Sequence, residues 1–359
     1  MDKQQNWVIR SFKKDDENKI FELRRAIRPE RHYTKEDWLK WWNWSFCEIP
    51  SGSRIWLAEI NGKIVAQFAL LCENLKVGEN LVKAFQSIEE STHPDYRRQG
   101  IMSAMQRYAF DEGVKTGVNI FYGFPSNMAY SKDIKLGYFK VANLRKIYRI
   151  LNWQNIVKTR TGTKFFLNMY VNVARMASNT LWRAPKVPVV KGLLVTRISN
   201  FDERIDEFCA RVSNRFEIIV VRNKDYLNWR YSTVPGIKYS IYIAEDGGFV
   251  RGYIVFRYHY EGRKKMSVIY DLLTESEEIS HHLLSRAESD CRKDDVDYIL
   301  WSGIADKTYL RAYKNRGFVS VPFKNGQKFL VYSSDPNIPK HFLMNSSNWF
   351  IQMGDSDEL

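Results

Sequence analysis

The stretch Thr92-His93-Pro94-Asp95-Tyr96-Arg97-Arg98-Gln99-Gly100-Ile101-Met102 decides the reading of this chain. Leu81 to Ser91 before it predicts a strand. Ile101 to about Lys115 after it predicts a helix, with Ile101, Met105, Tyr108 and Ala109 on one face. A strand, a short Arg/Gly turn and a helix start together form an anion site. The first helical N–H groups lack partners, and the helix dipole favours negative charge there. Gly100 lets the backbone approach a phosphate closely, and Arg97 and Arg98 supply charge-assisted hydrogen bonds. An ordinary basic turn is the competing reading of the same residues.

Outward from this turn, the chain repeats itself. Val8-Ile9-Arg10, the acidic turn Asp15-Asp16-Glu17 and a helix through Ile20, Leu23 and Ile27 are answered by Val195-Thr196-Arg197, Phe201-Asp202-Glu203 and a helix through Ile205, Phe208 and Val212. Asp37-Trp38-Leu39-Lys40-Trp41 is answered by Asp225-Tyr226-Leu227-Asn228-Trp229, and Pro50 by Pro235. Ile55-Trp56-Leu57-Ala58-Glu59 is answered by Ile241-Tyr242-Ile243-Ala244-Glu245. Hairpin turns follow, Asn61-Gly62 and Gly247-Gly248, and then second strands, Ile64 to Leu71 and Phe249 to Tyr258. Leu136-Gly137-Tyr138 is matched by Arg316-Gly317-Phe318.

These matches keep one order at separations between 180 and 188 residues, which defines two copies of one unit. The expected class is α/β (α+β), each copy a mixed, mostly antiparallel sheet flanked by helices. The boundaries read as 1–150 for the first copy and 190–335 for the second. A connector spans 151–189, with a helix from Thr163 to Trp182 and the breaker run Ala184-Pro185-Lys186-Val187-Pro188. The tail, 336–359, carries Asn348-Trp349-Phe350-Ile351 as a last packed strand.

Composition narrows the function. Lys and Arg number 55 against 41 Asp and Glu, a net charge of +14 that fits an anionic partner. No nucleic-acid reading motif accompanies it, so no nucleic-acid partner is expected. The four cysteines, Cys47, Cys72, Cys209 and Cys291, lack C-x-x-C spacing and predict reduced, mostly buried thiols. His281-His282 reads as helical surface histidine, so no metal site is expected. The most apolar run, Phe165 to Ala174, is far shorter than the ~20 residues of a membrane span. The N-terminus has no apolar signal core, so a cytoplasmic location is expected.

The turn at Arg97 to Met102 resembles the coenzyme A loop of the GNAT (Gcn5-related N-acetyltransferase) superfamily, Q/R-x-x-G-x-G/A. Arg97 and Gly100 match, while Met102 replaces the usual Gly or Ala. A subgroup with R-G-K-G-I-F at this place is more similar. Tyr122-Gly123-Phe124-Pro125-Ser126-Asn127, Lys135-Leu136-Gly137-Tyr138 and the Trp-rich segment Trp38 to Trp44 resemble it too. With the repeat, the chain resembles a tandem GNAT protein. The resemblance implies direct transfer of an acetyl group from acetyl-CoA to a primary amine, without a covalent enzyme intermediate, so Cys72 is not needed. Its subgroup suggests an amino-sugar acceptor, with another small amine or a peptide second.

That chemistry needs a base, an oxyanion donor and an acid for the thiolate. Glu89 and Glu90 end the strand before the loop and point to opposite faces. Glu89, with Ser87 and His93 expected on its face, is the candidate base; offsetting Arg97 and Arg98 is its alternative role. Where the family often carries an acidic Tyr this chain has Asp133. Tyr130, one turn earlier, is the candidate acid or a packing residue. The cofactor-binding set is Thr92, Arg97, Arg98, Gln99, Gly100, Ile101, Met102 and Asn127, with Thr92 pairing the pantetheine arm and Asn127 alternatively a helix cap.

The second copy has Ile269-Tyr270-Asp271-Leu272-Leu273-Thr274-Glu275-Ser276-Glu277-Glu278-Ile279 in place of the loop. It lacks the glycine, and its glutamates would repel a pyrophosphate. It is expected not to bind coenzyme A but to shape the acceptor cleft or stabilise the first copy. A non-catalytic acyl-CoA-binding or scaffold protein is the alternative from another class, and a nucleic-acid binder the third.

Overall fold

A computed structural model describes residues 7–30, 34–153, 155, 187, 189–320 and 326–356. The helix expected at Thr163 to Trp182, the apolar run Phe165 to Ala174 and most of the breaker run lie outside the described residues. The first elements are β1 (Val8–Ser11), α1 (Glu17–Ile27), α2 (Lys35–Trp42), β2 (Ser53–Ile60), β3 (Lys63–Val77), β4 (Asn80–Thr92), α3 (Ile101–Lys115), β5 (Ile120–Gly123), α4 (Asn127–Lys135), β6 (Phe139–Asn143) and β7 (Arg145–Ile150). Next come β8 (Leu194–Ile198), α5 (Arg204–Ser213), β9 (Ile218–Val220), α6 (Lys224–Tyr231), β10 (Ser240–Asp246), β11 (Phe249–Glu261), β12 (Lys264–Thr274), α7 (Glu277–Lys293) and β13 (Tyr298–Ile304). The chain closes with α8 (Lys307–Asn315), β14 (Val319–Ser320), β15 (Lys328–Ser333), α9 (Lys340–Met344) and β16 (Trp349–Gln352).

Local chemistry sets these boundaries. Both expected hairpin turns hold positive φ, at Asn61 and Gly62 and at Gly247 and Gly248, the geometry that matches strand twist. Thr34, Ser126, Asn223, Ser276 and Asp306 each accept a backbone N–H at the start of α2, α4, α6, α7 and α8. Uncapped α1 and α5 have acidic residues in their first turns instead. Helix α3 has neither a side-chain cap nor an acid in its first turn.

Two compact units emerge. Unit 1 comprises 1–143, 233–236 and 327–346; unit 2 comprises 144–232, 237–326 and 347–359. The sheet of unit 1 runs β1-β2-β3-β4-β5-β15-β6, antiparallel except for the parallel β4–β5 pair. In unit 2 it runs β8-β10-β11-β12-β13-β7-β14, antiparallel except for β12–β13. Thus β15 completes the sheet of unit 1 and β7 that of unit 2, which consecutive boundaries at 150 and 190 do not anticipate.

The core of unit 1 lies where α3 packs on the sheet. Ile101, Met105, Ala109 and Phe110 meet Trp56, Ala66, Phe68, Phe85 and Phe121. Tyr108, expected on this buried face, is exposed, and Gln106 and Phe110 turn inward instead. Helices α1 and α2 form a separate aromatic layer, in which Phe21 meets Trp38 and Trp42 meets Phe12 and Phe46. In unit 2, His281 is buried rather than at the surface; burial holds its pKa below the usual histidine value, with Glu277 at 3.5 Å. Cys209 and Cys291 are buried, Cys72 is half-buried and Cys47 exposed, all as free thiols. Among the described residues no helix is long and apolar enough to cross a membrane.

Candidate active site

The turn after β4 is built by local bonds. The His93 N–H donates to the Val65 carbonyl at 2.8 Å, which ties the end of β4 to β3. Pro94 to Tyr96 make one short turn. Arg98 and Gly100 then adopt left-handed φ values of 63° and 82°. That conformation costs an L-residue roughly 1–2 kcal/mol and glycine little. The first intrahelical bond of α3 runs from the Ala104 N–H to the Gly100 carbonyl, at 3.0 Å. The N–H groups of Ile101, Met102 and Ser103 therefore have no intrahelical partner. Arg97, Arg98, Gln99 and Gly100 are all exposed around them. The Arg97 Nε donates to the Thr92 carbonyl at 3.2 Å, so these two expected cofactor residues come together. Gln99 Nε2 donates to the Asp95 carbonyl, and Met102 packs against the core beside Ile101.

Upstream, the sheet opens. Strands β4 and β5 pair from Ala84–Ile120 to Ser87–Gly123 and no further. Strand β4 continues along β3 to Ala66–Thr92, but it gains one residue between Ile88 and Ser91. Glu89, with φ 50°, lies in this bulge. Beyond Ser87, the β5 side of β4 has no strand partner among the described residues.

The bulge also decides which side chains meet. An extra residue reverses the inside–outside alternation. The Ser87 hydroxyl bonds the buried Tyr138 hydroxyl at 2.8 Å on the α3 side. Glu89, expected on the face of Ser87, is instead ion-paired with Arg24 of α1. Glu90 returns to the α3 side, where it meets Gln106 Nε2 at 2.9 Å and the Lys132 ammonium. Gln106 and Asp133 are buried in the same cluster, 3.2 Å apart. Burial pushes the Tyr138 hydroxyl well above its usual pKa, so it stays protonated. Burial likewise raises the Cys72 thiol, keeping it un-ionised.

Tyr130 packs against the α3-side core, and the Lys328 ammonium lies 4.8 Å from its ring. Asn127 does not cap α4; Ser126 does, and the Asn127 side-chain Oδ1 accepts from the Lys328 ammonium at 2.6 Å. Glu89 and Tyr130 thus stand on opposite faces of the opened sheet. Sequence reading missed Arg24, Lys132, Tyr138 and Lys328, whose hydrogen-bond partners in this cluster are 26 to 201 residues away. It also missed Gln67, which shares the α1 face with Leu57 and pairs with Ser91 across β3 and β4. Its side chain is fully buried, and neither end of the amide has a partner among the described residues.

In unit 2 the equivalent opening is filled by the chain itself. Strands β12 and β13 pair from Met266–Tyr298 to Ile269–Trp301. Past Ser302, Gly303 and Ile304 of β13 pair with Gln352 and Ile351 of β16. The Gln352 amide donates to the Leu272 carbonyl at 3.1 Å and accepts from the Trp301 indole at 2.7 Å. Arg222, fully buried, pairs with Asp271 and Asp355, and Arg230 donates to the Gly354 and Ser356 carbonyls. The strand expected in the tail is therefore this insert.

Residues 8–138 match the model of the acetyltransferase (GNAT) domain family. No curated protein matches the chain in sequence. In structure it is similar to a GCN5-related N-acetyltransferase from Anabaena variabilis ATCC 29413, with TM-score 0.64 and 12% identity over 90% of this chain and 72% of that one. A probable N-acyltransferase from Enterococcus faecalis V583 gives 0.63 and 13%, covering 90% and 71%. Saccharomyces cerevisiae N-myristoyltransferase with bound myristoyl-CoA gives 0.59 and 14%, covering 99% and 86%. Residues 8–138 are thus similar to a GNAT acetyltransferase domain, and the chain has a mixed α/β fold shared with solved GNAT proteins. The domain match supports acyl-CoA-dependent acyl transfer.

Proposed function

We propose that the chain is a tandem GNAT N-acetyltransferase in which unit 1 transfers acetyl from acetyl-CoA to a primary amine, with an amino sugar as the first acceptor to test. One observation carries this reading: an opened β4–β5 pair leads directly into an uncapped, arginine-flanked helix start. Arg97, Arg98 and Gln99, with the free N–H groups of Ile101 and Met102 after Gly100, hold the pyrophosphate. Thr92 and the unpaired edge of β4 run along the pantetheine arm, and Asn127, with Lys328 beside it, meets the cofactor from α4. The amine nitrogen attacks the thioester carbon, and a β4 N–H beyond Ser87 stabilises the oxyanion. Glu89 takes the proton lost by the amine, and Tyr130 returns one to the departing thiolate. The products are the amide and free coenzyme A. Unit 2 takes no cofactor, and the reaction is placed in the cytoplasm.

Thiol release from acetyl-CoA with a panel of primary amines, amino sugars first, tests this reading. Tight coenzyme A binding without thiol release on any amine would favour a non-catalytic acyl-CoA-binding or scaffold protein. That second reading draws support from Asp133, buried against Gln106 where the family often has its tyrosine acid.

A further inference from the structure

Unit 2 contains an arginine whose surroundings fix it for a task its own fold does not use. Arg257 and His259 project from β11 on one face, with Val268 and Met266 opposite them on β12. The Arg257 Nε donates to His259 Nε2 at 2.8 Å. The Tyr270 hydroxyl meets the same His259 nitrogen at 3.1 Å. With its Nε2 taken as acceptor, the imidazole is neutral and carries its proton on Nδ1. The guanidinium rests 5.1 Å from the Tyr270 ring and 5.5 Å from the Tyr239 ring. Those two rings stand nearly perpendicular to each other, at 81°. The imidazole lies nearly parallel to the Tyr270 ring, at 17°, which closes the cluster.

This arrangement engages the inner nitrogen and sets two aromatic rings beside the guanidinium carbon. Its two terminal nitrogens have no hydrogen-bond partner among the described residues, although Arg257 is only partly exposed. An arginine that merely balances charge pairs with a carboxylate, as Arg222 and Arg204 do in this unit. Arg257 has no carboxylate within ion-pair distance among the described residues. A guanidinium flanked by two aromatic rings and anchored at Nε presents an ordered donor fork. That fork matches the spacing of two oxygens on one carboxylate or phosphate, and little ordering entropy remains to be lost on binding.

We propose that Arg257, oriented by His259 and walled by Tyr239 and Tyr270, is an oxyanion-binding site of unit 2, taking the carboxylate or phosphate group of a small ligand. It is separate from the proposed coenzyme A turn, which belongs to unit 1, and stands independently of the acyl-transfer reading. Inorganic phosphate and acetate are the probes that distinguish the two sources. They are titrated calorimetrically into the full chain with coenzyme A present, so that the Gly100 turn is competed for. One added equivalent should bind in the wild type. Arg257→Met should weaken it at least tenfold without lowering the unfolding midpoint. Arg257→Lys, which keeps the charge and loses the fork, should recover less than half of that loss on a logarithmic scale. Phosphate affinity unchanged in Arg257→Met, full recovery by lysine, or no binding of either anion to the wild type would each overturn the proposal. Should the methionine variant fail to fold, the lysine variant and the two wild-type titrations still decide it.

Discussion

Replacing Gly100 by aspartate separates the fold from the proposed cofactor site more cleanly than any other single change. A Cβ built at Gly100 meets no atom within 4 Å, so the substitution creates no internal clash. Its cost to the fold is the left-handed φ of 82°, roughly 1 kcal/mol for a residue as tolerant as aspartate. An aspartate at this N-cap gains about 1 kcal/mol by accepting the free N–H groups of α3. Stability should therefore change little. Binding should not survive, because the same carboxylate occupies the donors meant for a phosphate and opposes its charge. At about 4 Å and an effective dielectric near 20 the repulsion is about 4 kcal/mol. Halved for the exposure of the turn, it is still ~2 kcal/mol before the lost hydrogen bonds, so Kd should rise ~30- to 1,000-fold. Calorimetric titration with coenzyme A reads this directly, with thermal unfolding as the control. A Kd within threefold of wild type, in a variant of unchanged Tm, would refute the placement of the pyrophosphate.

Glu89→Gln should lower kcat about 100-fold while leaving the KM for acetyl-CoA unchanged; an unchanged kcat removes Glu89 as the base. Gln67→Met replaces a buried amide without partners among the described residues with an apolar side chain of similar shape, so the Tm should hold or rise; a large fall would show that the amide is satisfied internally. Burial, and secondarily Arg257, pushes His259 down to about 4. Since the unfolded chain binds that proton near its ordinary pKa of 6.5, stability is lost as pH falls from 6.5 toward 4. The loss should be about 1–2 kcal/mol after discounting for a half-buried ring, and urea unfolding of His259→Gln should show a flatter dependence over that range.

Periodicity and turn chemistry were enough to locate most elements of unit 1. The bounds of α3, Ile101–Lys115, and both hairpin turns were legible because each depends on neighbours within a few residues. The strand exchange was not. Nothing in Lys328–Ser333 or Arg145–Ile150 says which sheet its hydrogen bonds complete, since any strand pattern fits any strand edge. The candidate site was legible as far as the backbone of the turn. The side chains were misplaced by the bulge: alternation counted from Ser87 puts Glu89 on the wrong face, and a single added residue reverses the count. Arg24 was invisible because only the reversed face exposes Glu89 to α1. Gln67 was invisible because an unsatisfied amide is defined by what fails to surround it.

The two openings, one in each unit, lead to a prediction about stoichiometry. Where β4 and β5 separate, unit 1 leaves a strand edge without a strand partner among the described residues; where β12 and β13 separate, β16 covers it. The fit of that insert is close. A Cβ on Gly303 would lie 2.1 Å from the Ile351 carbonyl oxygen, so the strand approaches as tightly as glycine permits. Arg222 bridges Asp271 and Asp355 at the end of the insert. Removing one partner of a buried ion network costs about 3–5 kcal/mol, so the insert does not leave to admit a ligand under native conditions. The helix that follows is capped by Ser276 and begins with Glu277 and Glu278, so its start is occupied and negative. Two independent barriers therefore stand where unit 1 has none among the described residues. The chain should bind one coenzyme A, not two, and Gly100→Asp should remove that one without uncovering another. Arg222→Met should destabilise unit 2 by several kcal/mol, and still no second equivalent should appear below the unfolding transition. Two equivalents in the wild type, or one surviving in Gly100→Asp, would mean that β16 does not exclude the cofactor and that the turn at Arg97 does not choose between the units.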